Sequence, residues 1–288
     1  MNLLFDMETG DPDDVMTLCF LTSHPKIKLR AVTVTPGSNA QIGIVRHILK
    51  LTGFEHIPVG SFKMGYEKNC VSSFHYQWLG KIGESEPDNE GYKIISQTIA
   101  QYPDLTILTG AALKNFGQLD KAIKIKRWVA QGGFAGDNIV PPEYRLTKFE
   151  GKMTCPTYNF NGAPNEANKM LFEMTIETRY LVSKNVCHGV VYDAALHQKI
   201  EAVKNKSKGL NLIYQGMGQY LLKNQQGKKL HDPLAACVAI DKDICQFKEV
   251  EMYRQKGEWG ANLKEGTNTF ISISVHEEKF AHVFTTVE

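Results

Sequence analysis

The chain has 288 residues, 33 Lys+Arg against 31 Asp+Glu, and 42% hydrophobic residues. A formal net charge of +2 with no Lys/Arg block argues against a nucleic-acid polymer as partner, because such binding needs a basic face to displace counterions from phosphates. No stretch reaches the ~18–20 apolar residues of a membrane helix, and the opening MNLLFDMETGDPDD lacks the basic and apolar regions of a signal peptide.

In chain order, a short apolar strand at 3–5 ends abruptly in Asp6, and an acidic Gly- and Pro-containing loop leads into a helix over 13–23. Residues 29–35 are rich in β-branched side chains and read as a second strand, broken at Pro36-Gly37-Ser38-Asn39. Apolar residues at 42, 44, 45, 48, 49 and 51 predict a helix with Gly53 as its C-cap. A strand at 57–60, a helix at 94–101, a strand at 105–109 and a helix at 113–122 follow. Strands alternating with helices predict an α/β fold with a mainly parallel sheet covered on both faces. In such sheets ligands sit at the C-terminal strand ends, which here are 6–14, 36–39 and 109–115.

Residues 134–166, rich in Gly, Pro, Asn and Tyr, form a long excursion or lid. Beyond it the pattern predicts a helix over 167–177, a strand over 179–182, and helices over 192–204, 209–223 and 232–240. The tail, at 270–275 and 282–287, alternates like a small antiparallel pair. There is no repeat or linker, so residues 1–288 read as one domain. The six cysteines show no CxxC spacing, which points to a reduced, cytoplasmic setting.

The segment Asp6-Met-Glu-Thr-Gly-Asp-Pro-Asp-Asp14 carries five carboxylates in nine residues. A helix N-terminus explains Asp11 to Asp14 individually, through the macrodipole and the free N–H groups. It does not explain Asp6 beside Glu8. Five like charges in one loop repel each other unless a cation is present, and hard oxygen donors suit Ca²⁺ or Mg²⁺.

A strand ending in a D-x-D-x-G-x-D-D loop is the N-terminal signature of the inosine–uridine preferring nucleoside hydrolase family, and this loop resembles it with altered spacing. Gly37-Ser38-Asn39 stands where the family places Gly-Asn, and Leu108-Thr-Gly-Ala-Ala-Leu-Lys-Asn115 is similar to its G-P-L-T-N segment. Gln131-Gly132-Gly133 resembles its M-G-G, Gly136-Asp137-Asn138 its G-N, Phe160-Asn161 the end of its A-E-F-N, and His231-Asp232-Pro233 its H-D-P. These segments keep the family's order across residues 3–240.

The resemblance implies a Rossmann-like nucleoside hydrolase fold and a Ca²⁺-dependent N-glycosidase that splits a ribonucleoside into ribose and base. It implies a small-molecule nucleoside as partner, and a homodimer or homotetramer. By matching positions, Asp14, Asp232 and the Gly110 carbonyl would hold the metal. Asp13 would meet the ribose 2′-hydroxyl, and Asn39, Asn138 and Asn161 would be further sugar contacts. Asp6, nearest the strand end, is the expected metal ligand and general base, with Glu8 close behind as the other candidate. Asn159 replaces the family's Glu in the substrate-binding segment. His231 would protonate or position the leaving base, unless it only caps a helix. In Phe74-His75-Tyr76-Gln77-Trp78, His75 and Trp78 are candidates for stacking on the base, with core packing as the alternative. Two other classes stay open: a phosphatase-like carboxylate–metal hydrolase, and a non-catalytic nucleoside- or metal-binding relative.

Overall fold

The computed structural model describes residues 1–287. Its strands are β1 (Asn2–Met7), β2 (Lys28–Val34), β3 (Val59–Ser61), β4 (Asn89–Glu90), β5 (Thr106–Thr109), β6 (Lys124–Gln131), β7 (Thr154–Cys155), β8 (Thr175–Val182), β9 (Val191–Tyr192), β10 (Lys228–Lys229), β11 (Cys245–Gln255), β12 (Glu258–Leu263) and β13 (Thr269–Val275). Eleven of them form one sheet in the order β4-β3-β2-β1-β5-β6-β8-β13-β11-β12-β7. The run from β4 to β13 is parallel, and β13, β11, β12 and β7 pair antiparallel. β9 and β10 form a separate antiparallel hairpin.

The chain leaves β1 towards β2, β3 and β4, then returns to β1's other side for β5, β6 and β8. The strand order therefore reverses between β1 and β5, and a crevice opens at their carboxyl ends. The two-residue period of β1 decides what faces each side. Leu3, Phe5 and Met7 point into one core layer and Leu4 into the other. The first layer is packed by the helices Pro12–Leu21, Asn39–Thr52, Lys208–Lys223 and Asp232–Ile240. The second lies under the helix Gly91–Gln101 and the antiparallel end of the sheet, around Trp128, Phe160 and Trp259.

Several expected elements differ. The tail is not an antiparallel pair, because only β13 is a strand and Glu277–Phe284 is a helix. Phe280 and Phe284, four apart, stack at 5.5 Å on its buried face, so the apparent alternation was a helical stripe. The antiparallel element instead uses β11 and β12, whose exposed polar positions hid them. Residues 113–116 make only a 3₁₀ turn, and β6 follows, disguised by Lys124, Lys126 and Arg127. The helix expected over 167–177 is cut short, since β8 begins at Thr175. The excursion is tied to the sheet edge through β7 on β12, and of its residues Tyr158 and Asn159 line the crevice.

Candidate active site

Asp11 starts the helix Pro12–Leu21 as an N-cap in a capping box: its side chain accepts from Asp13 N, and Asp14 Oδ2 accepts from Asp11 N at 2.9 Å. Pro12 at the first helical position has no N–H to leave unpaired. The ordinary helix-start reading of this loop is therefore satisfied, and it still leaves carboxylate oxygens over. A second helix N-terminus, Asp232–Ile240, meets the first. Asp13 Oδ2 accepts from the backbone N–H groups of His231 at 2.8 Å and Asp232 at 3.2 Å.

Around these ends lies a cleft of about 360 Å³, within the range of small-molecule sites, lined by Glu8, Gly10, Asp11, Asp13, Asp14, Gly110, Gln131, Tyr158, Asn159, His231 and Asp232. Asp14 and Asp232 are 4% and 3% exposed, and Asp232 Oδ2 is buried without a hydrogen-bond partner. Burial drives both carboxyls well above the usual range; repulsion from Asp232 and Glu8 adds to it for Asp14, and from Asp13 and Glu8 for Asp232. Glu8 is pushed up to about 7, first by burial and then by the charges of Asp13, Asp11 and Asp6. Gly110 follows β5 where a Cβ would strike the Asp232 carboxyl at 2.0 Å, so only glycine admits that close approach.

Not every expected residue reaches the cleft. Asp6 lies within β1 rather than after it, on the Leu4 side of the sheet, and is fully buried. Its Oδ1 accepts from Thr33 Oγ1 at 2.6 Å and Asn115 Nδ2 at 2.7 Å, and burial raises its pKa to about 7. Asn39 opens the helix Asn39–Thr52 and is not among the residues lining the cleft, although its Oδ1 is buried without a partner. Asn138 donates to the Ala261 carbonyl at 2.8 Å, and Asn161 donates to the Gly257 carbonyl while its Oδ1 accepts from Thr157 N at 2.9 Å. Both asparagines thus tie the excursion to β12 and its turn.

Trp78 packs on Gly216, and its indole N–H donates to the Leu212 carbonyl at 2.9 Å. His75 is fully buried behind the acidic loop, and burial lowers its pKa to about 4. Both belong to the core of the helix Ser73–Leu79 and not to the cleft.

Asn159 does line the cleft, its amide donating to the Gln131 carbonyl at 3.0 Å and to Gln131 Oε1 at 2.7 Å. His231 lines it too, with its Nε2 buried and unpartnered; burial first, then Lys228, lowers its pKa to about 4. Gln131, Tyr158 and Lys228 went unassigned in the sequence. Gln131 and Tyr158 adjoin segments singled out above, Gln131 at the carboxyl end of β6 and Tyr158 just before Asn159. Lys228 carries no motif, only the first of two adjacent lysines three residues before His231.

The family description "Inosine-uridine preferring nucleoside hydrolase" matches residues 3–282. The chain belongs to the inosine–uridine preferring nucleoside hydrolase family. A protein of Aquifex aeolicus (strain VF5) is 27% identical over 291 residues, covering 97% of this chain and 96% of that one. Among solved structures, a plant nucleoside hydrolase superposes with a TM-score of 0.77 at 18% identity, over 99% of this chain and 97% of the other. A purine-preferring ribonucleoside hydrolase from Gardnerella vaginalis gives 0.67 at 16% identity, with the same coverage. An inosine–uridine preferring nucleoside hydrolase from Bacillus anthracis gives 0.70 at 16%, again over 99% and 97%. These likenesses establish the fold. Membership of this nucleoside hydrolase family supports a glycosidase that hydrolyses nucleosides. Among the described residues no helix is long and apolar enough to cross a membrane.

Proposed function

We propose that the chain hydrolyses the N-glycosidic bond of a ribonucleoside to ribose and free base, with Ca²⁺ held at the Asp14–Asp232 pair. The observation that carries this reading is the unpartnered Asp232 Oδ2, buried beside Asp14 at the strand-order reversal. A buried carboxylate oxygen without a donor is costly, and a cation satisfies it. Among the described residues no three His, Cys, Asp or Glu side chains converge to hold a metal by themselves. The donor set would therefore be these two carboxylates with the Gly110 carbonyl, all hard oxygens suited to Ca²⁺.

When bound, Ca²⁺ supplies a charge that acidifies water and orients vicinal hydroxyls. The remaining work falls to the chain. Glu8, at the cleft wall and with a pKa raised to about 7, takes the proton of the attacking water. It replaces Asp6 in that role because Glu8 lines the cleft and Asp6 does not; Asp6 Oδ1 is taken by Thr33 and Asn115, and its Oδ2 is buried without a partner outside the lining. Asn159, anchored on Gln131, offers its free carbonyl oxygen to a ribose hydroxyl. Asp13 keeps spare lone-pair capacity for the 2′-hydroxyl after accepting from the two backbone N–H groups. His231, in the cleft lining, donates a hydrogen bond from neutral imidazole to the departing base.

The test is release of free ribose from a panel of purine, pyrimidine and modified nucleosides, with and without chelator. Ribose that appears with Ca²⁺ and disappears with chelator supports the reading. Phosphate release from phosphomonoesters without ribose, or cation binding without any product, would overturn it.

A further inference from the structure

Lys228 belongs to none of the family-like segments, and its side chain is 8% exposed. It follows Gly227, whose φ of +80° and whose approach to the Tyr192 carbonyl, 2.4 Å from any added Cβ, restrict that turn to glycine. The turn delivers the ammonium beneath the acidic loop. There it forms ion pairs with Asp11 Oδ1 at 2.8 Å and Asp13 Oδ1 at 3.2 Å and donates to the Lys229 carbonyl at 3.0 Å.

Asp13 is held from both sides, with Lys228 on Oδ1 and two backbone N–H groups of the opposing helix on Oδ2. The chain Lys228–Asp13–His231/Asp232 therefore joins the N-termini of the helices Pro12–Leu21 and Asp232–Ile240, which carry Asp14 and Asp232 in their first turns. The loop is divided as a result. Asp11 and Asp13 have a resident cation, while among the described residues no lysine or arginine pairs with Asp14 or Asp232.

We propose that Lys228 is a positioning residue, a built-in counter-ion that locks Asp13 across the two helix ends and so sets the spacing of the Asp14–Asp232 cation site. The proposal rests on the reading in which that pair binds Ca²⁺. A purely electrostatic role has the opposite sign, because deleting a positive charge makes the cleft more negative and strengthens cation binding.

The experiment is calorimetric titration with Ca²⁺ alone of wild type, Lys228→Met and Lys228→Arg, alongside thermal unfolding and the kcat and KM of ribose release. Lys228→Met is expected to bind Ca²⁺ roughly tenfold or more weakly, as when a partner orienting a metal ligand is lost, and to raise KM more than it lowers kcat. Lys228→Arg, which keeps the charge and donates to two carboxylates, restores most of the affinity. Unchanged or tighter Ca²⁺ binding by folded Lys228→Met overturns the proposal. If that variant does not fold, Lys228→Gln, a neutral side chain of similar reach with an amide donor, takes its place and should also weaken Ca²⁺; unchanged or tighter binding there overturns it equally. Wild type that binds Ca²⁺ yet releases no ribose sinks the hydrolase reading and leaves the affinity comparison standing. Wild type that binds no Ca²⁺ overturns the proposal itself.

Discussion

The His188 ring lies over the His231 ring, centroids 4.9 Å apart with 32° between the planes. Phe149 meets the far side of His188 edge-on at 5.5 Å, and the Lys148 ammonium contacts His188 Nδ1. Besides lining the cleft with Tyr158 and Asn159, the excursion thus also supports it from behind, by packing through His188 against His231. Burial lowers the His188 pKa to about 3, with help from His231 and Lys148, and His231 stays neutral at physiological pH. His231→Ala should therefore cut kcat by roughly 10²-fold, the scale of a lost hydrogen-bond donor to developing charge. The wild-type profile of kcat against pH should lack a histidine limb near pH 6. A limb there that vanishes in His231→Ala would restore an imidazolium acid.

Glu8 and Asp6 are separated by the same kind of measurement. Glu8→Gln keeps the shape of the cleft wall and removes the proton acceptor. It should lower kcat by roughly 10²- to 10⁴-fold while Ca²⁺ still binds in calorimetry. Asp6→Asn, outside the cleft lining, should cost much less. The reverse order of severity would return the base role to Asp6.

Asp6 has a second signature, in stability. Its carboxyl titrates near pH 4 when exposed and is raised to about 7 by burial in the folded chain. Between those values the folded state holds the proton more tightly than the unfolded state, so this contribution to stability is full at low pH and is lost as pH rises towards 7. Asparagine mimics the protonated acid, still accepting from Thr33 and Asn115 through Oδ1. Denaturant unfolding from pH 5 to pH 8 should show wild type losing stability relative to Asp6→Asn. Parallel curves for the two proteins would mean that Asp6 is charged throughout.

The strand-end rule led from the sequence to β1 and β5, and so to Glu8, Asp13, Asp14 and Gly110, because each lies within a few residues of a strand whose apolar run is visible. Asp232 was legible through its motif at a helix start. The asparagines were not legible in the same way. Asn138 and Asn161 find their partners at Ala261 and Gly257, on strands and turns whose exposed polar residues hid them. Trp78 looked available for a nucleobase until Gly216 and Leu212, more than 130 residues away, supplied its packing and its hydrogen bond. The end of β1 is subtler still. Asp6 and Glu8 share the alternation of β1, but Asp6 lies inside the strand, bonded to Thr33 and Asn115, while Glu8 follows its last residue, Met7, and lines the cleft.

Tyr158 is an aromatic residue placed at the cleft, lining it while 73% exposed. So exposed a ring contributes little to folding, and Tyr158→Ala should leave the unfolding midpoint nearly unchanged. Its surroundings resist ionisation, because the charge of Glu8 and then burial raise the phenol above its ordinary value. The flat face is therefore what the residue offers a nucleoside, and stacking of a base on an aromatic side chain is worth about 1–3 kcal/mol. If Tyr158 covers the base in the ground state and transition state alike, Tyr158→Ala should raise KM roughly tenfold with kcat nearly constant, and Tyr158→Phe should match wild type in both. A fall in kcat for Tyr158→Phe would instead make the hydroxyl a participant in base departure. An unchanged KM for Tyr158→Ala would show that the ring does not touch the substrate.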